Sequence, residues 1–298
     1  MDRIIGELQG EQDGPLLIFI GGLHGNESPG VTALDNVFKQ LKSRPGGFKG
    51  RAIALRGNIE AIKQGTRYID FDLNRIWDKH HFNTIDRLNA AEYDELKELK
   101  TVIEAELDHA IYDNAYLLDL HTTSAPTIPF IVTNFDNHNQ MFIDKLNVPY
   151  ITGLSGYLDG TILSWFCRRG NCGLAFEAGQ HHSRTSIIKH EAFTMLSMHH
   201  TGFISLHQSE LDWLQNILDD ELAPKHQHFS LVERYHIDAD ENFRMADGFT
   251  NFQKIYKGEV LATNKYGEIL SDLDGNIFMP LYQDQGDDGF FIIEPVSH

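Results

Sequence analysis

The segment Gly21-Gly22-Leu23-His24-Gly25-Asn26-Glu27 follows directly on the apolar run Leu16-Leu17-Ile18-Phe19-Ile20, and this junction decides the fold. The apolar run predicts a buried β-strand, and the glycines after it allow the backbone to turn sharply. His24 and Glu27 then lie on a short loop at the carboxyl end of that strand, the edge where ligands bind in open α/β sheets. Zn²⁺ accepts imidazole and carboxylate, and a catalytic zinc commonly keeps three protein ligands and a water. The segment therefore predicts two ligands of a metal site.

A second apolar run that ends in a histidine, Tyr116-Leu117-Leu118-Asp119-Leu120-His121-Thr122-Thr123, offers the third ligand. If the two strands are neighbours in one sheet, His24, Glu27 and His121 form a His₂Glu site with one position open. A further strand-like run, Gly173-Leu174-Ala175-Phe176-Glu177-Ala178-Gly179, carries a carboxylate near its end. A glutamate beside zinc-bound water is the expected general base for metal-assisted hydrolysis.

Each of these residues also has a structural interpretation. The chain has 16 histidines, so a single histidine is more often a surface or core residue than a ligand. Glu27 alone favours the start of the helix for which Ser28 is the expected N-cap and Pro29 the first helical residue. Glu177 alone is as well explained by a structural salt bridge. The combination favours a site, because three polar groups each end a strand-like run.

Four motifs, taken in chain order, resemble the aspartoacylase and succinylglutamate desuccinylase family of zinc carboxypeptidase-like hydrolases. They are His24-Gly25-Asn26-Glu27, the segment 66–77 (TRYIDFDLNRIW), Asp119-Leu120-His121-Thr122-Thr123 and Glu177-Ala178-Gly179. They extend over about the first two-thirds of the chain with family-like spacing. One of these motifs alone is weak evidence, whereas the four together are specific.

The resemblance implies a role for each matching residue. His24, Glu27 and His121 would bind one Zn²⁺ per chain, and Glu177 would activate the water.

Arg67 would polarise the scissile carbonyl, while Asn74 and Arg75 would hold a substrate carboxylate. Arginine suits this last role because its planar fork binds carboxylates in a bidentate manner. The alternative for Arg67 and Arg75 is a solvated surface charge or an ion pair with Asp70 or Asp72.

Two positions depart from the family pattern. Aspartoacylases carry a further arginine about ten residues before the catalytic glutamate, where this chain has Cys167, followed by Arg168 and Arg169. In aspartoacylases that arginine binds the side-chain carboxylate of the substrate, and Arg168 is the candidate for this contact here. The family's tyrosine near the C-terminus has no clear counterpart, and Tyr282 is the candidate substitute.

Composition limits the class of partner. The chain has 298 residues, 41% of them hydrophobic, and a formal net charge of −18 at pH 7. This charge argues against a general nucleic-acid binder or a protein that binds anionic membranes. Because the expected substrate is itself an anion, we expect a local cationic pocket in an otherwise acidic molecule.

The lack of a recognisable targeting signal and the low number of cysteines favour a cytoplasmic location. The chain has only two cysteines, Cys167 and Cys172, which are too few for a disulfide framework. The N-terminus lacks the apolar core of a signal peptide, and no segment approaches the roughly 18 apolar residues of a membrane helix. A homo-oligomer is left open.

Strands and helices alternate over residues 1–221, which predicts an α/β fold with a mixed central sheet and helices on both faces. Helices are expected over about 29–42, 92–111, 137–146 and 184–207, the last with an optional continuation to 218. Residues 222–298 contain short β-rich runs punctuated by turns, which predicts a small β domain that caps the cleft.

These observations predict a zinc-dependent hydrolase that cleaves the amide bond of a small, carboxylate-bearing N-acyl amino acid. Two alternatives stay open. A carboxypeptidase-like peptidase would share the zinc site and Arg75, and a non-catalytic zinc-dependent binding protein would have no need of Glu177.

Overall fold

The computed structural model describes residues 1–44, 46–85, 89–108, 112–134, 142–220, 223, 228–238 and 240–296, except for the side chain of Ser155. The helices in these ranges are α1 Ser28–Lys42, α2 Ile59–Gln64, α3 Lys79–Thr84, α4 Ala91–Asp108, α5 Ile162–Cys167, α6 Arg184–His200 and α7 Gln208–Leu218. Short 3-10 helices span Leu73–Arg75 and Leu154–Gly156.

The strands in the same ranges are β1 Ile4–Gln9, β2 Gln12–Gly21, β3 Lys49–Arg56, β4 Ala115–Thr123, β5 Phe130–Thr133, β6 Tyr150–Thr152, β7 Cys172–Gln180, β8 His228–His236, β9 Arg244–Met245, β10 Lys254–Ile255, β11 Val260–Asn264, β12 Gly267–Leu270, β13 Gly275–Phe278 and β14 Asp288–Pro295.

A mixed sheet forms the centre of the molecule. Within the described ranges it has the order β1-β3-β2-β4-β7-β5-β6-β8-β14-β13-β10. Strands β3, β2, β4 and β7 are parallel to one another, and β5 then runs antiparallel to β7. The predicted α/β fold with a mixed central sheet is confirmed.

Strand β2 is buried on both faces, because alternate residues enter two different cores. Leu17 and Phe19 pack in the cluster that contains α1, α6 and α7, while Leu16, Ile18 and Ile20 pack in the cluster that contains α4 and α5. A continuous apolar run is the pattern expected of such a strand. Helices therefore cover both faces of the sheet, as predicted. Among the described residues, no helix has the length and apolarity needed to cross a membrane.

Two helix boundaries differ from the sequence prediction. Glu27, not Ser28, is the N-cap residue of α1 and makes no side-chain cap, since its carboxylate is turned toward His24 and His121. The helix expected from 184 breaks after His200, where Gly202 has a φ of +87°. A left-handed glycine of this kind is a common helix stop.

Residues 109–111 of the predicted 92–111 helix and residues 137–141 of the predicted 137–146 helix lie outside the described residues.

The C-terminal strands are divided between two sheets. Strand β8 runs parallel to β6, and β14, β13 and β10 extend the central sheet from there. A separate three-stranded antiparallel sheet has the order β12-β11-β9. Residues 221 and 222, the predicted domain boundary, lie outside the described residues, so the division into two domains stays a prediction.

Candidate active site

The carboxyl ends of three parallel strands bring the predicted ligands and the predicted base together. In the register of β2 and β4, Gly21 pairs with Leu120, so the loop after β2 meets the end of β4. His121 in turn pairs directly with Glu177 on β7. Residues His24, Glu27, His121 and Glu177 are all buried. These side chains therefore converge at the edge of the sheet that the sequence predicts as the binding site.

His24, Glu27 and His121 present their ligand atoms to one another. These atoms all lie within 4.8 Å of each other. The Glu27 Oε1 atom is 2.9 Å from His24 Nδ1, and its Oε2 atom is 3.0 Å from His121 Nδ1. The backbone N–H of Thr122 also donates to Oε2, at 2.9 Å. Two imidazoles and one carboxylate with this spacing are a donor set that fits Zn²⁺.

His24 and His121 each contact an aspartate carboxylate through the Nε2 atom. His121 Nε2 lies 2.6 Å from Asp119 Oδ2, and His24 Nε2 lies 3.1 Å from Asp72 Oδ1. Metal-ligating histidines commonly bind a carboxylate through the nitrogen that is not on the metal, which fixes the ring orientation. This feature is a second, independent argument that the cluster fits a metal ion.

The sequence prediction did not assign either aspartate to the site. Asp119 had a detectable signal, since residues two apart on a strand share a face and Asp119 precedes His121 by two. From the sequence, Asp72 is expected only as a possible ion-pair partner of Arg67 or Arg75.

Burial and the neighbouring charges oppose each other in this cluster. Burial alone would raise the pKa of Glu27, but the charges and hydrogen bonds of His24 and His121 hold it well below its usual value. Burial would lower the pKa of His121, and the carboxylates of Asp119 and Glu27 raise it well above the usual value instead. Without a metal ion the cluster therefore favours a charged Glu27 and a charged His121, and binding of a metal ion would displace the proton from the imidazole.

Glu177 differs from Glu27 because burial outweighs the opposing charges of His121 and Arg67. Burial raises its pKa to about 8. Its Oε2 atom has no hydrogen-bond partner among the described residues, although it is buried. A desolvated carboxylate of this kind, one strand away from the metal-binding cluster, has the chemistry of a general base.

Arg67 lies between the cluster and Asp72. Its Nη1 atom is 3.5 Å from Glu27 Oε1, and its Nη2 atom donates to Asp72 Oδ2 at 3.0 Å. The ion pair with Asp72, which the sequence left open as an alternative, is therefore present. Arg67 nevertheless lines the cleft together with His24.

Asn74 and Arg75 are fixed by a tight local turn. The Asp72 carboxylate accepts from Asn74 N at 2.8 Å and so caps the 3-10 helix at Leu73–Arg75. Asn74 Oδ1 accepts from Ile162 N at 3.0 Å, and Arg75 Nη2 donates to Asp288 Oδ2 at 2.8 Å. Both side chains line the cleft.

The segment 279–289 covers the cleft and is tied to the metal-binding loop. Gln283 Oε1 accepts from Asn26 Nδ2 at 3.0 Å and lies 3.2 Å from His181 Nε2. His181 Nδ1 lies 2.8 Å from Thr122 Oγ1. None of these contacts is predicted from the sequence. No local pattern could reveal a contact between residues 26 and 283.

Arg168 and Tyr282 are not brought to the cleft. Arg168 is exposed at the C-terminal end of α5 and is not among the residues that line the cleft. The Tyr282 hydroxyl donates to Ala246 O at 2.7 Å and accepts from Phe249 N at 2.9 Å, so its ring packs in the C-terminal core. Their predicted contacts with substrate receive no support from these positions.

The cleft has an open volume of about 1070 Å³, including its solvent-filled mouth. A space of this size accommodates a small molecule. Its polar part is formed by the residues described above, with Thr122, Thr123 and Ser124 beside them.

Residues 13–198 match the family model described as the succinylglutamate desuccinylase/aspartoacylase catalytic domain. The chain belongs to this family. A succinylglutamate desuccinylase of Shewanella putrefaciens (strain CN-32 / ATCC BAA-453) is 27% identical over 276 residues, which cover 87% of this chain and 76% of the relative. One of Pseudomonas fluorescens (strain SBW25) is 30% identical over 90 residues, but this match covers only 30% of this chain and 27% of the relative.

The solved structures agree on the fold of this family member. The succinylglutamate desuccinylase/aspartoacylase structure from Rhodobacter sphaeroides superimposes with a TM-score of 0.71 at 18% identity, over 98% of this chain and 88% of the other. The superposition includes the C-terminal strands, so the whole described fold is shared.

Proposed function

We propose that the chain is a zinc-dependent hydrolase that cleaves the amide bond of a small, carboxylate-bearing N-acyl amino acid. One observation carries the proposal: the buried His24, Glu27 and His121 converge, and the unpartnered carboxylate of Glu177 lies on the neighbouring strand. Family membership supports the amide-hydrolysing reaction class.

His24, Glu27 and His121 would hold one Zn²⁺ per chain, with Asp72 and Asp119 orienting the imidazoles. A zinc ion held there would lower the pKa of a water molecule and polarise a carbonyl oxygen. Glu177 accepts the proton of the attacking water at its carboxylate and returns it to the leaving amine. Its raised pKa suits both transfers near neutral pH.

Arg67 stabilises the negative charge that develops on the carbonyl oxygen. Its guanidinium is buried beside the cluster and stays charged at any working pH. Preorganised charge aimed at such an oxygen typically contributes about 10²–10³ in rate. Arg75, with Asn74 beside it, binds the carboxylate of the substrate. The Nε atom of Arg75 is buried and has no partner among the described residues, which leaves it donor capacity.

Substitution of Glu177 tests the mechanism. The Glu177→Gln variant should still bind one zinc ion per chain, because Glu177 is not among the ligands. Its turnover of N-acyl amino acids should fall by about 10²–10⁴-fold. Glu268→Gln, a change of the same type at an exposed position on β12, is the matched control. Near-normal turnover of Glu177→Gln with zinc bound would remove the general base from the proposal.

A carboxypeptidase-like peptidase is the second candidate. The covering segment 279–289, fixed to Asn26 and to Arg75 by Gln283 and Asp288, supports a small substrate instead. Release of C-terminal residues from ordinary peptides, at rates above those for N-acyl amino acids, would favour the peptidase. Binding of an N-acyl amino acid without turnover by the zinc-loaded protein would favour the non-catalytic alternative. A cytoplasmic location remains a prediction, and the oligomeric state stays open.

A further inference from the structure

One wall of the cleft is apolar and begins directly beside the proposed base. Ala175 precedes Glu177 by two residues on β7 and therefore shares its face of the sheet. Val132 on β5 pairs directly with Ala175. Both residues are buried and line the cleft. At about 3.3 Å per residue, Ala175 lies about 7 Å from Glu177 along the strand.

Helix α5 and the turn before it continue this wall. A Cβ atom at Gly173 would lie 3.3 Å from Leu163 Cδ2, so Leu163 packs onto β7 on the face that Ala175 occupies. Leu158 precedes the helix, lines the cleft and belongs to the same hydrophobic cluster as Leu163, Val132 and Ala175. We call Val132, Leu158, Leu163 and Ala175 the apolar wall.

The apolar wall adjoins the proposed carboxylate site. Ile162 N donates to Asn74 Oδ1, which places the start of α5 against Asn74. A Cβ atom at Gly160 would lie 2.1 Å from the backbone oxygen of Arg75, so the chain between Leu158 and Leu163 backs directly onto Arg75. The proposed carboxylate site therefore lies beside the chain segment that carries Leu158 and Leu163, and both line the same cleft.

The cleft offers no spare cation for a second carboxylate. Of the lysines and arginines that the structure describes, only Arg67 and Arg75 line the cleft, and they pair with Asp72 and Asp288. Arg168 lies at the other end of α5 from Asn74, about 9 Å along a helix of six residues.

Asp287, in addition to Asp288, makes the same region unfavourable for a second negative charge. Asp287 and Asp288 line the cleft near Arg75. A carboxylate buried without a partner loses its hydration and gains nothing in return.

We propose that the amino-acid half of the substrate has an uncharged, apolar side chain, which seats on the apolar wall while its carboxylate binds Arg75. This inference rests on the proposed function. It assigns the substrate class by the chemistry of the cleft and departs from the acidic side chain that Arg168 was expected to bind.

A matched substrate panel tests it. The zinc-loaded protein is assayed with leucine, phenylalanine, aspartate and glutamate, each as the N-acetyl and as the N-succinyl derivative, so that the acyl group is constant within each comparison. We expect kcat/KM for the leucine and phenylalanine derivatives to exceed that for the acidic ones by about 100-fold or more, the scale on which a site rejects a group that it leaves unpaired. Equal or higher values for the acidic derivatives overturn the inference but leave the proposed function standing.

A binding measurement separates the two proposals. Calorimetry on zinc-loaded Glu177→Gln compares N-acetyl-leucine with N-acetyl-aspartate without turnover. Tighter binding of the leucine derivative supports the apolar wall even if the wild-type protein hydrolyses neither compound, an outcome that would count against the proposed function alone. Tighter binding of the aspartate derivative overturns the inference.

The Leu158→Ala variant tests the apolar wall directly. It should lower kcat/KM for the N-acyl-leucine by about 10–100-fold, because it removes the surface on which the side chain packs. N-acylglycine, which has no side chain, should be hydrolysed as by the wild type. Leu270→Ala, at an exposed position on β12, should change neither value. An equal loss for the leucine and glycine derivatives would show a general disturbance of the site and would contradict a specificity role for Leu158.

Discussion

The two histidines of the candidate metal site each have a carboxylate behind the imidazole ring. Asp119 is buried and Asp72 is nearly so, and their oxygens lie 2.6 Å and 3.1 Å from the Nε2 atoms of His121 and His24. With Nε2 held in this way, Nδ1 of each ring is left to face Glu27. The orientation of the ligands is therefore set by residues that do not themselves reach the metal position.

Asp119→Asn should weaken zinc binding by about 10–100-fold, because the amide is a poorer partner for the His121 imidazole than the carboxylate. Competition with a chromophoric chelator measures the change. Asp13→Asn, an exposed position at the start of β2, is the matched control and should bind zinc as the wild type does. Unchanged affinity in Asp119→Asn would mean that the ring is oriented by packing alone.

Glu177 should make the metal-free protein sensitive to pH. Burial raises its pKa from 4.5 to about 8, so the folded state binds a proton more tightly than the unfolded state does. The resulting stability is fully present below pH 4.5 and is lost as the pH rises through about 8. Glu177→Gln cannot lose this proton. Its melting temperature in a chelator should therefore match the wild type near pH 4.5 and exceed it by several degrees near pH 9. Parallel melting curves across this range would contradict the assignment.

At the scale of elements, the site is built where strand ends meet a segment from the far end of the chain. The strand ends can be predicted from the sequence, because an apolar run followed by glycine and a polar residue is a recognisable local pattern. The covering segment 279–289 has no such pattern. It reaches the site through single side chains, and Gln285 accepts a hydrogen bond from Arg67 N at 3.0 Å just as Gln283 accepts one from Asn26.

Helix α6 shows a different limit, because its end does carry a local signal. Gly202 adopts a left-handed conformation, and Gly202 N and Ile204 N donate to His199 O and Met198 O, all within six residues of one another. The prediction of a helix to residue 207 followed the periodicity of the apolar residues and passed over this glycine.

Gln283→Ala should release the covering segment without unfolding the protein, because Gln283 contacts Asn26 and His181 and is not part of a hydrophobic core. We expect faster amide hydrogen exchange over residues 279–287 and an increase in KM by several-fold, with a smaller change in kcat. Gln208→Ala at the start of α7, far from the cleft in the fold, is the control of the same residue type. Exchange rates that do not change would show that the segment is held by Gln285 and Asp288 alone.

At the scale of the whole molecule, the central sheet is continuous across the predicted domain boundary. Strand β8 follows β6 in the sheet although 75 residues, 153–227, separate the end of β6 from the start of β8 (227 − 152 = 75). The sequence predicted the β-rich composition of this region correctly. It could not predict the pairing of β8 with β6. The register between distant strands depends on packing, and the residue pattern of neither strand indicates its partner.

The net charge of −18 sets how an anionic substrate reaches the cleft. Arg67 and Arg75 are already paired with Asp72 and Asp288, so the cationic pocket expected from the sequence is largely neutralised before the metal is counted. Long-range repulsion should then dominate the approach. The Debye length shortens from about 30 Å at 0.01 M salt to about 8 Å at 0.15 M, which screens that repulsion. We expect kcat/KM for an N-acyl amino acid to rise by several-fold over this range of potassium chloride. The corresponding N-acyl amino acid amide has no carboxylate and should show no such rise. A fall in kcat/KM with salt would mean that the bound zinc and the two arginines, acting at short range, outweigh the charge of the molecule as a whole.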